Sequence, residues 1–319
     1  FVCPDGPPTC DFAVIQKAVD AASDGDIIMV ATGDYTDVNN YAGLAQVVYI
    51  SKTVTIRGGY TIDFAEPPDP VANPTSLHAH SQGRVLYVTG SISPTIEGLH
   101  LTGGVSESGG GIHNEGALTV RNCTIHHNHA QDEGTLFSPS RGGGIYNEGA
   151  LTLQDCIIRS NNAHGGSYGY GGDGVGGGIY NSISGTVTIQ DTTLRENSAS
   201  GGGGLSGGSG AGGGIHSEGV LVIQHSELSS NAALGGYGVF SGAGWGVGGG
   251  IEISASGSAV IEDSTLSENS AHGGSGDTID AGWGNGGSIA NAGTLVIRRS
   301  LLSGNEAWGG DCFPEGIPG

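Results

Sequence analysis

The amino-acid sequence predicts an all-β fold, a right-handed single-stranded parallel β-helix with an N-terminal capping helix. Three observations carry that expectation. A phrase that begins in a glycine run and closes on Asn-x-Ala recurs six times, from Gly109, Gly142, Gly176, Gly212, Gly248 and Gly286. Its anchoring isoleucines (Ile112, Ile145, Ile179, Ile215, Ile251 and Ile289) are spaced 33, 34, 36, 36 and 38 residues apart. A repeat of that length marks a solenoid, because one unit cannot bury its own apolar face and must stack on a neighbour. Within each copy the apolar residues alternate with period two, as at Leu118 and Val120, and no stretch between residues 85 and 310 carries helical periodicity. Each unit is therefore expected to be one coil of three short strands, stacked on the next at roughly 4.8 Å.

Taken from the N-terminus, Cys3 and Cys10 flank a turn-rich PDGPPT segment and are expected to close a small disulfide loop. Asp11 to Ala22 places Phe12, Ile15, Ala18, Val19 and Ala22 on one face of an amphipathic helix, with Asp11 available as its N-cap. Laid across the open end of the solenoid, that helix shields the first core layer and blocks edge-to-edge growth. A buried strand follows in GDIIMVATGDY, then VVYISKTVTIRGGY supplies two more, and a proline-rich excursion over 63–79 leads into GRVLYV. The chain reads as a single β-helix domain over 1–319: cap and first strand over 1–30, first coils over 31–108, six repeat coils over 109–310 and a C-terminal tail over 311–319.

In aligned coils, sequence positions become columns. Ile125, Ile158, Leu194, Leu228, Leu266 and Leu302 form an aliphatic stack beside small residues that include Cys123 and Cys156, expected to pack as reduced thiols. Asn128, Asn161, Asn197, Asn231, Asn269 and Asn305 form an asparagine ladder, expected to be structural because amides bond along the stack and Asn tolerates the left-handed turn. Two copies carry a two-residue insertion in one turn, over 182–186 and 254–258, where a solenoid tolerates it.

Composition narrows the partners. A net charge of −21, with Lys17 and Lys52 the sole lysines, leaves no basic surface for nucleic acid or an anionic membrane, and no apolar run reaches the 18 residues of a membrane span. It also disfavours polyuronate glycans unless a cation bridges. The start at Phe1 fits a processed exported chain or an excised fragment.

The opening helix followed by GDIIMVATGDY and TVTIRGGY resembles the N-terminal end of the pectate-lyase-like β-helix superfamily. DPVANPTSL, GRVLYV, IEGLHLTGG and the GGGI…N-x-A coils resemble bacterial surface β-helix proteins with repeats like those of chlamydial polymorphic outer-membrane proteins. The GG-apolar phrase of that group is matched at Gly111-Ile112 and its counterparts; its F-x-x-N phrase is matched by segments ending at Asn128, Asn161, Asn197, Asn231, Asn269 and Asn305, with Ile or Leu in place of Phe. The resemblance implies an exported bacterial protein, extracellular or at the cell surface. It leaves two activities open, since some relatives are surface or adhesion proteins and others sharing the fold cleave polysaccharides.

A β-helix glycosidase needs two carboxylates converging on one groove, about 5 to 9.5 Å apart. The chain has no Asp-Asp pair, and Asp155, Asp191 and Asp263 form a column interrupted by Asn122, His225 and Arg299, which reads as a turn position. Arg159 and Arg195 stack one coil apart beside Glu196, as on an ordinary solvated strand. His113, His126, His127 and His129 lie in one coil, but His126 and His127 point to opposite faces, against a shared metal site. No catalytic residue is assigned.

The loops after the Asn-x-Ala phrases, from Gly165, Gly201, Gly235 and Gly273, leave the same corner of the coil. Their large residues are Tyr168, Tyr170, Tyr237, Phe240, Trp245 and Trp283, with Trp308 beginning a fifth loop, and such rings suit sugar stacking or burial against protein. Alternatively the loops stack on each other as an extra layer. Asp173, Asp277 and Asp280 could add calcium; no other cofactor is implied. The leading expectation is a non-catalytic extracellular module for adhesion, matrix or self-assembly into homo-oligomers or filaments, with itself or a surface glycan or protein as partner. The alternative is a polysaccharide lyase or glycoside hydrolase. The outward column His113, Tyr146, Tyr180, His216, Glu252 and Ala290 discriminates the two, as a converging groove in an enzyme or a flat ladder in a scaffold.

Overall fold

Period-two alternation puts one side of each short strand inside, and stacking then pairs every strand with its copy one coil away. The computed structural model, which describes residues 1–41, 43–131, 138–277 and 280–312, has that form: a right-handed parallel β-helix with one short helix near its N-terminus. Three nine-stranded sheets run its length. In the coil from Gly109 their strands are Ile112–Asn114 (face A), Ala117–Arg121 (face B) and Thr124–His126 (face C). Registers hold from coil to coil, so Ile112 lies over Ile145, Leu118 over Leu151 and Ile125 over Ile158. Face A begins with an antiparallel hairpin, Asn39–Tyr41 with Leu44–Ile50, and is parallel thereafter.

The coil carries more strands than the expected three. His129–Gln131 and its copies form a seven-stranded face D, and Ser140–Arg141 and its copies a five-stranded face E. The Asn-x-Ala phrase is itself a strand, because its alanines (Ala130, Ala163, Ala199, Ala233 and Ala271) are fully buried and small enough for the narrow corner they fill. The aliphatic stack is fully buried through Leu266, whereas Leu302 in the last coil is 43% exposed. Cys123 and Cys156 are buried thiols donating to the carbonyls of Arg121 and Gln154, and burial drives both well above the usual thiol range.

The asparagine ladder is buried and closed on itself. Asn197 Nδ2 donates to Ile158 O at 2.9 Å and to Asn231 Oδ1 at 3.0 Å, while Asn197 Oδ1 accepts from the Asn161 backbone N–H and Nδ2. The left-handed residue is not the asparagine, as expected, but the one before it: His127, Ser160, Glu196, Ser230 and Glu268 have φ of 52° to 56°. The asparagine keeps an ordinary backbone and spends its amide on the carbonyl that this turn leaves open. Asn122, Asp155, Asp191, His225, Asp263 and Arg299 are left-handed too, at 47° to 52°, which explains that column as a turn. A second buried ladder, Asn114 to Asn147 to Asn181, links the turn after face A, and Asn181 donates to Ser217 Oγ.

At the N-terminus the helix is shorter than the sequence suggested, Ile15–Ala21, and Val14 rather than Asp11 precedes it without a side-chain cap. Asp11 instead pairs with the N-terminal ammonium at 2.9 Å. Ile15, Ala18 and Val19 close the first core layer, and Gln16 clasps the backbone of Tyr49. Lys52 Nζ donates to the carbonyls of Val19, Asp20 and Ala22, satisfying orphan acceptors at the helix end. A disulfide joins Cys3 and Cys10.

Candidate functional site

Two surfaces stand out from the stack. The first is a fin. Between faces D and E the chain leaves the coil, turns and returns, over 165–173, 201–209 and 235–245, and the fourth loop has its two described legs at 273–277 and 280–283. The two legs of each loop lie backbone to backbone: Gly208 N–H donates to Gly202 O, Gly244 N–H to Gly236 O and Gly282 N–H to Gly274 O. Each return leg then accepts from the next coil, Gly236 N–H to Gly208 O, Gly274 N–H to Gly244 O and Gly310 N–H to Gly282 O. Glycine is required here by proximity. A Cβ on Gly244 would lie 1.7 Å from Gly208 O, and one on Gly282 the same distance from Gly244 O. The loops therefore stack as an additional layer, and the large side chains are carried on its outside.

Those side chains are exposed. Tyr170, Leu205 and Phe240 sit near the tip, where Leu205 N–H donates to Gly169 O and Phe240 N–H to Leu205 O, so the tips follow one another in register. Trp245 and Trp283 precede the paired glycines Gly246 and Gly284 and lie one coil apart at the base of the return leg, 58% and 75% exposed. Trp308, on face D, stacks on His272 with ring centroids 6.4 Å apart. Tyr237 donates its hydroxyl to Asp277. The side chain of Tyr168 lies outside the described residues, as does the tail over 313–319.

The three aspartates proposed for calcium do not form one site. Asp173 is on the first loop and accepts from the Ser209 backbone N–H at 2.6 Å, whereas Asp277 and Asp280 are on the fourth, three coils or about 14 Å further along. Asp277 is engaged by Tyr237.

The second surface is the outward column of face A. Tyr41, Tyr49, Tyr87, His113, Tyr146, Tyr180 and His216 stack ring on ring, with centroids 4.7 to 5.7 Å apart. Their faces are spent on each other, so edges and hydroxyls point outward. A row of glutamates receives the hydroxyls: Tyr87 donates to Glu115 at 2.6 Å, and Tyr146 to Glu148 and Tyr180 to Glu218 at 2.7 Å. Burial raises the tyrosines, and these carboxylate bonds add to it; Tyr87 and Tyr146 are pushed up to about 12.

At its N-terminal end this column lies in a groove of about 650 Å³, walled by residues 43–45, 81–84 and 105–108. The groove holds Arg84, Tyr87, His113, Glu115 and Glu148. Arg84 is buried over the Tyr87 ring and donates to Gly109 O, Ser108 O and Ser106 Oγ; burial lowers it to about 10. His113 is brought down to about 4 by burial and by the nearby Arg84 charge, so its imidazole is neutral. Glu115 is raised by burial, but hydroxyls of Thr89 and Tyr87 outweigh that and hold it below the usual carboxylate range. Among the described residues the group placed to hold a metal ion is His113, Glu115 and Glu148, whose ligand atoms lie within 4.8 Å of one another.

The other histidines of that coil do not join it. His126 and His127 approach each other through their Nδ1 atoms at 2.7 Å on and beside face C, and His129 lies on face D. The signal for the group that does form was in the sequence, as IHNEG at Ile112 followed one coil later by IYNEG at Ile145. It needed the register of face A to be read, since Glu148 joins through the stack and not through local spacing.

No family model matches the chain, and no curated protein does. Among solved structures it is similar to the pectate lyase Pel9A, with TM-score 0.45 and 14% identity over 96% of this chain and 76% of that one. It is also similar to the pectin methylesterase from Aspergillus niger in deglycosylated form, with TM-score 0.38 and 13% identity over 95% of this chain and 85% of that one. Likeness of that degree carries no argument about the chemistry of either surface.

Proposed function

We propose that the chain is a non-catalytic, exported β-helical module whose glycine fin binds a neutral glycan through its exposed rings. The observation that carries this reading is the clustering of all three tryptophans with Phe240 and Tyr170 on one lateral corner, each 41% exposed or more. Elsewhere the aromatic column of face A is stacked edge-outward, whereas Trp245, Trp283 and Phe240 are the most exposed rings of the fin. The fin loops contain no Lys or Arg and include Asp173, Asp277 and Asp280, which favours an uncharged polysaccharide over a polyuronate. Loop backbones fixed by the stack hold the rings without an ordering cost on binding.

The alternative, cleavage of a polysaccharide, is weakened by the groups in the groove. Arg84 is held by three hydrogen bonds to backbone and serine, Glu115 is held ionised by two hydroxyls, and His113 is neutral; none is poised as an acid or a base near neutral pH. The test of the binding reading is retention on insoluble neutral polysaccharides. The wild-type chain should be retained, and the Trp245→Ala/Trp283→Ala double variant should bind at least about tenfold more weakly, since each stacked ring contributes about 1 kcal/mol. Equal retention of both proteins, with unchanged circular dichroism, would refute it.

A further inference from the structure

The phrase Ile-His-[Asn/Ser]-Glu-Gly occurs twice, at Ile112 and at Ile215, and the two copies differ in how their charges are balanced. In the second, His216 lies between two carboxylates on opposite sides of its ring. Its Nδ1 is 2.6 Å from Glu252 and its Nε2 is 3.6 Å from Glu218. Burial disfavours the charged ring, yet both carboxylates outweigh it and raise His216 above its ordinary value, so an imidazolium compensates them. That set is complete as it stands.

The first copy is not. The ladder position after His113 is Tyr146 rather than a glutamate, and the second carboxylate comes from Glu148, in the turn one coil on. Nε2 of His113 faces Glu115 at 3.6 Å, longer than a hydrogen bond. The two carboxylates therefore converge on one imidazole. Arg84 lies near enough for its charge to act on Glu115, but its hydrogen bonds go to Gly109, Ser108 and Ser106 and none to either carboxylate.

We infer that His113 Nε2, Glu115 and Glu148 form a binding site for a divalent transition-metal ion of the zinc type, at the floor of the groove on face A. One imidazole nitrogen and two carboxylates are the donor set that such ions prefer over calcium or magnesium, which favour oxygen alone. The ligand atoms lie within 4.8 Å of one another and would close to about 3.3–3.6 Å around bonds of about 2.0–2.2 Å, a movement within reach of glutamate side chains at the groove surface. The outer support is in place: Tyr87 and Thr89 donate to Glu115 and Tyr146 donates to Glu148, which fixes the carboxylates while leaving each a free lone pair. Three protein ligands leave a coordination position open to the groove.

The test is calorimetric titration of the chelator-stripped full chain with Zn²⁺, with the absorption spectrum of bound Co²⁺ as a second readout. The expected result is one site per chain. Glu148→Gln should weaken it at least about tenfold, His113→Gln should remove the nitrogen-ligand signature from the Co²⁺ spectrum, and His216→Gln should change neither. Glu148 lies at the protein surface, so its variant is expected to keep the wild-type melting curve and answers the question even if His113→Gln fails to fold. Zn²⁺ binding that Glu148→Gln and His113→Gln leave intact, absence of a stoichiometric site, or preference for Ca²⁺ would each overturn the assignment.

Discussion

Replacing Asn197 with alanine should lower the free energy of unfolding by about 3 kcal/mol, read as a fall in the urea midpoint at constant slope. The side chain is 1% exposed and makes four hydrogen bonds within the ladder. Its loss takes the side-chain partner from the Asn161 N–H and the Ile158 carbonyl and one of the bonds from each of the Asn161 and Asn231 amides, inside the stack. Each buried unmet group costs about 1–3 kcal/mol, and partial relaxation keeps the sum below the full total. At the last ladder position Asn305 donates to Leu266 O and accepts from Asn269, but it is more open to solvent. Asn305→Ala should therefore cost about 1 kcal/mol, because water replaces part of what is lost. Equal effects at the two positions would mean that the ladder contributes through turn propensity and not through buried amides.

Gly244→Ala should open the fin while leaving the coils folded. Its Cβ would fall 1.7 Å from Gly208 O and 2.8 Å from Gly236 N, both backbone atoms that no rotamer change can move. The return leg of the third loop must move away from the second loop and from its own outgoing leg, breaking the bonds from Gly236 to Gly208 and from Gly244 to Gly236. Amides of the fin should then exchange with solvent at least about tenfold faster, while those of faces A, B and C keep their protection. Gly203→Ala is the matched control, since its Cβ meets nothing nearer than 3.6 Å and should leave exchange unchanged. Unaltered exchange in Gly244→Ala would show that the close approach is not what orders the loops.

The coils were legible in the sequence because stacking converts a linear repeat into a spatial one. Ile112 predicts Ile145 beside it whatever the loops do, and six copies made the phase unambiguous. What was misread were features that depend on a single backbone angle or a single terminal contact. The left-handed residue was assigned to the ladder asparagine and belongs to its neighbour, because the glutamate, serine or histidine there gives no composition signal. The helix start was assigned to Asp11, whose carboxylate is instead drawn to the terminal ammonium. Conversely, the glutamate row beside the tyrosine column escaped notice, since Glu115, Glu148 and Glu218 read as turn residues until the rings place hydroxyls against them.

The most direct test of the central claim, a fin that binds and a groove that does not cut, is to incubate the full chain with neutral and polyuronate polysaccharides, with and without added Ca²⁺ or Zn²⁺. Bound protein and newly released reducing or unsaturated ends are then measured in the same samples. The account predicts saturable binding to a neutral glycan, weakened at least about tenfold in Trp245→Ala/Trp283→Ala, and no release of ends from any substrate. Release at an enzyme-like turnover, above about 1 per second, would contradict it, as would binding that does not depend on the fin.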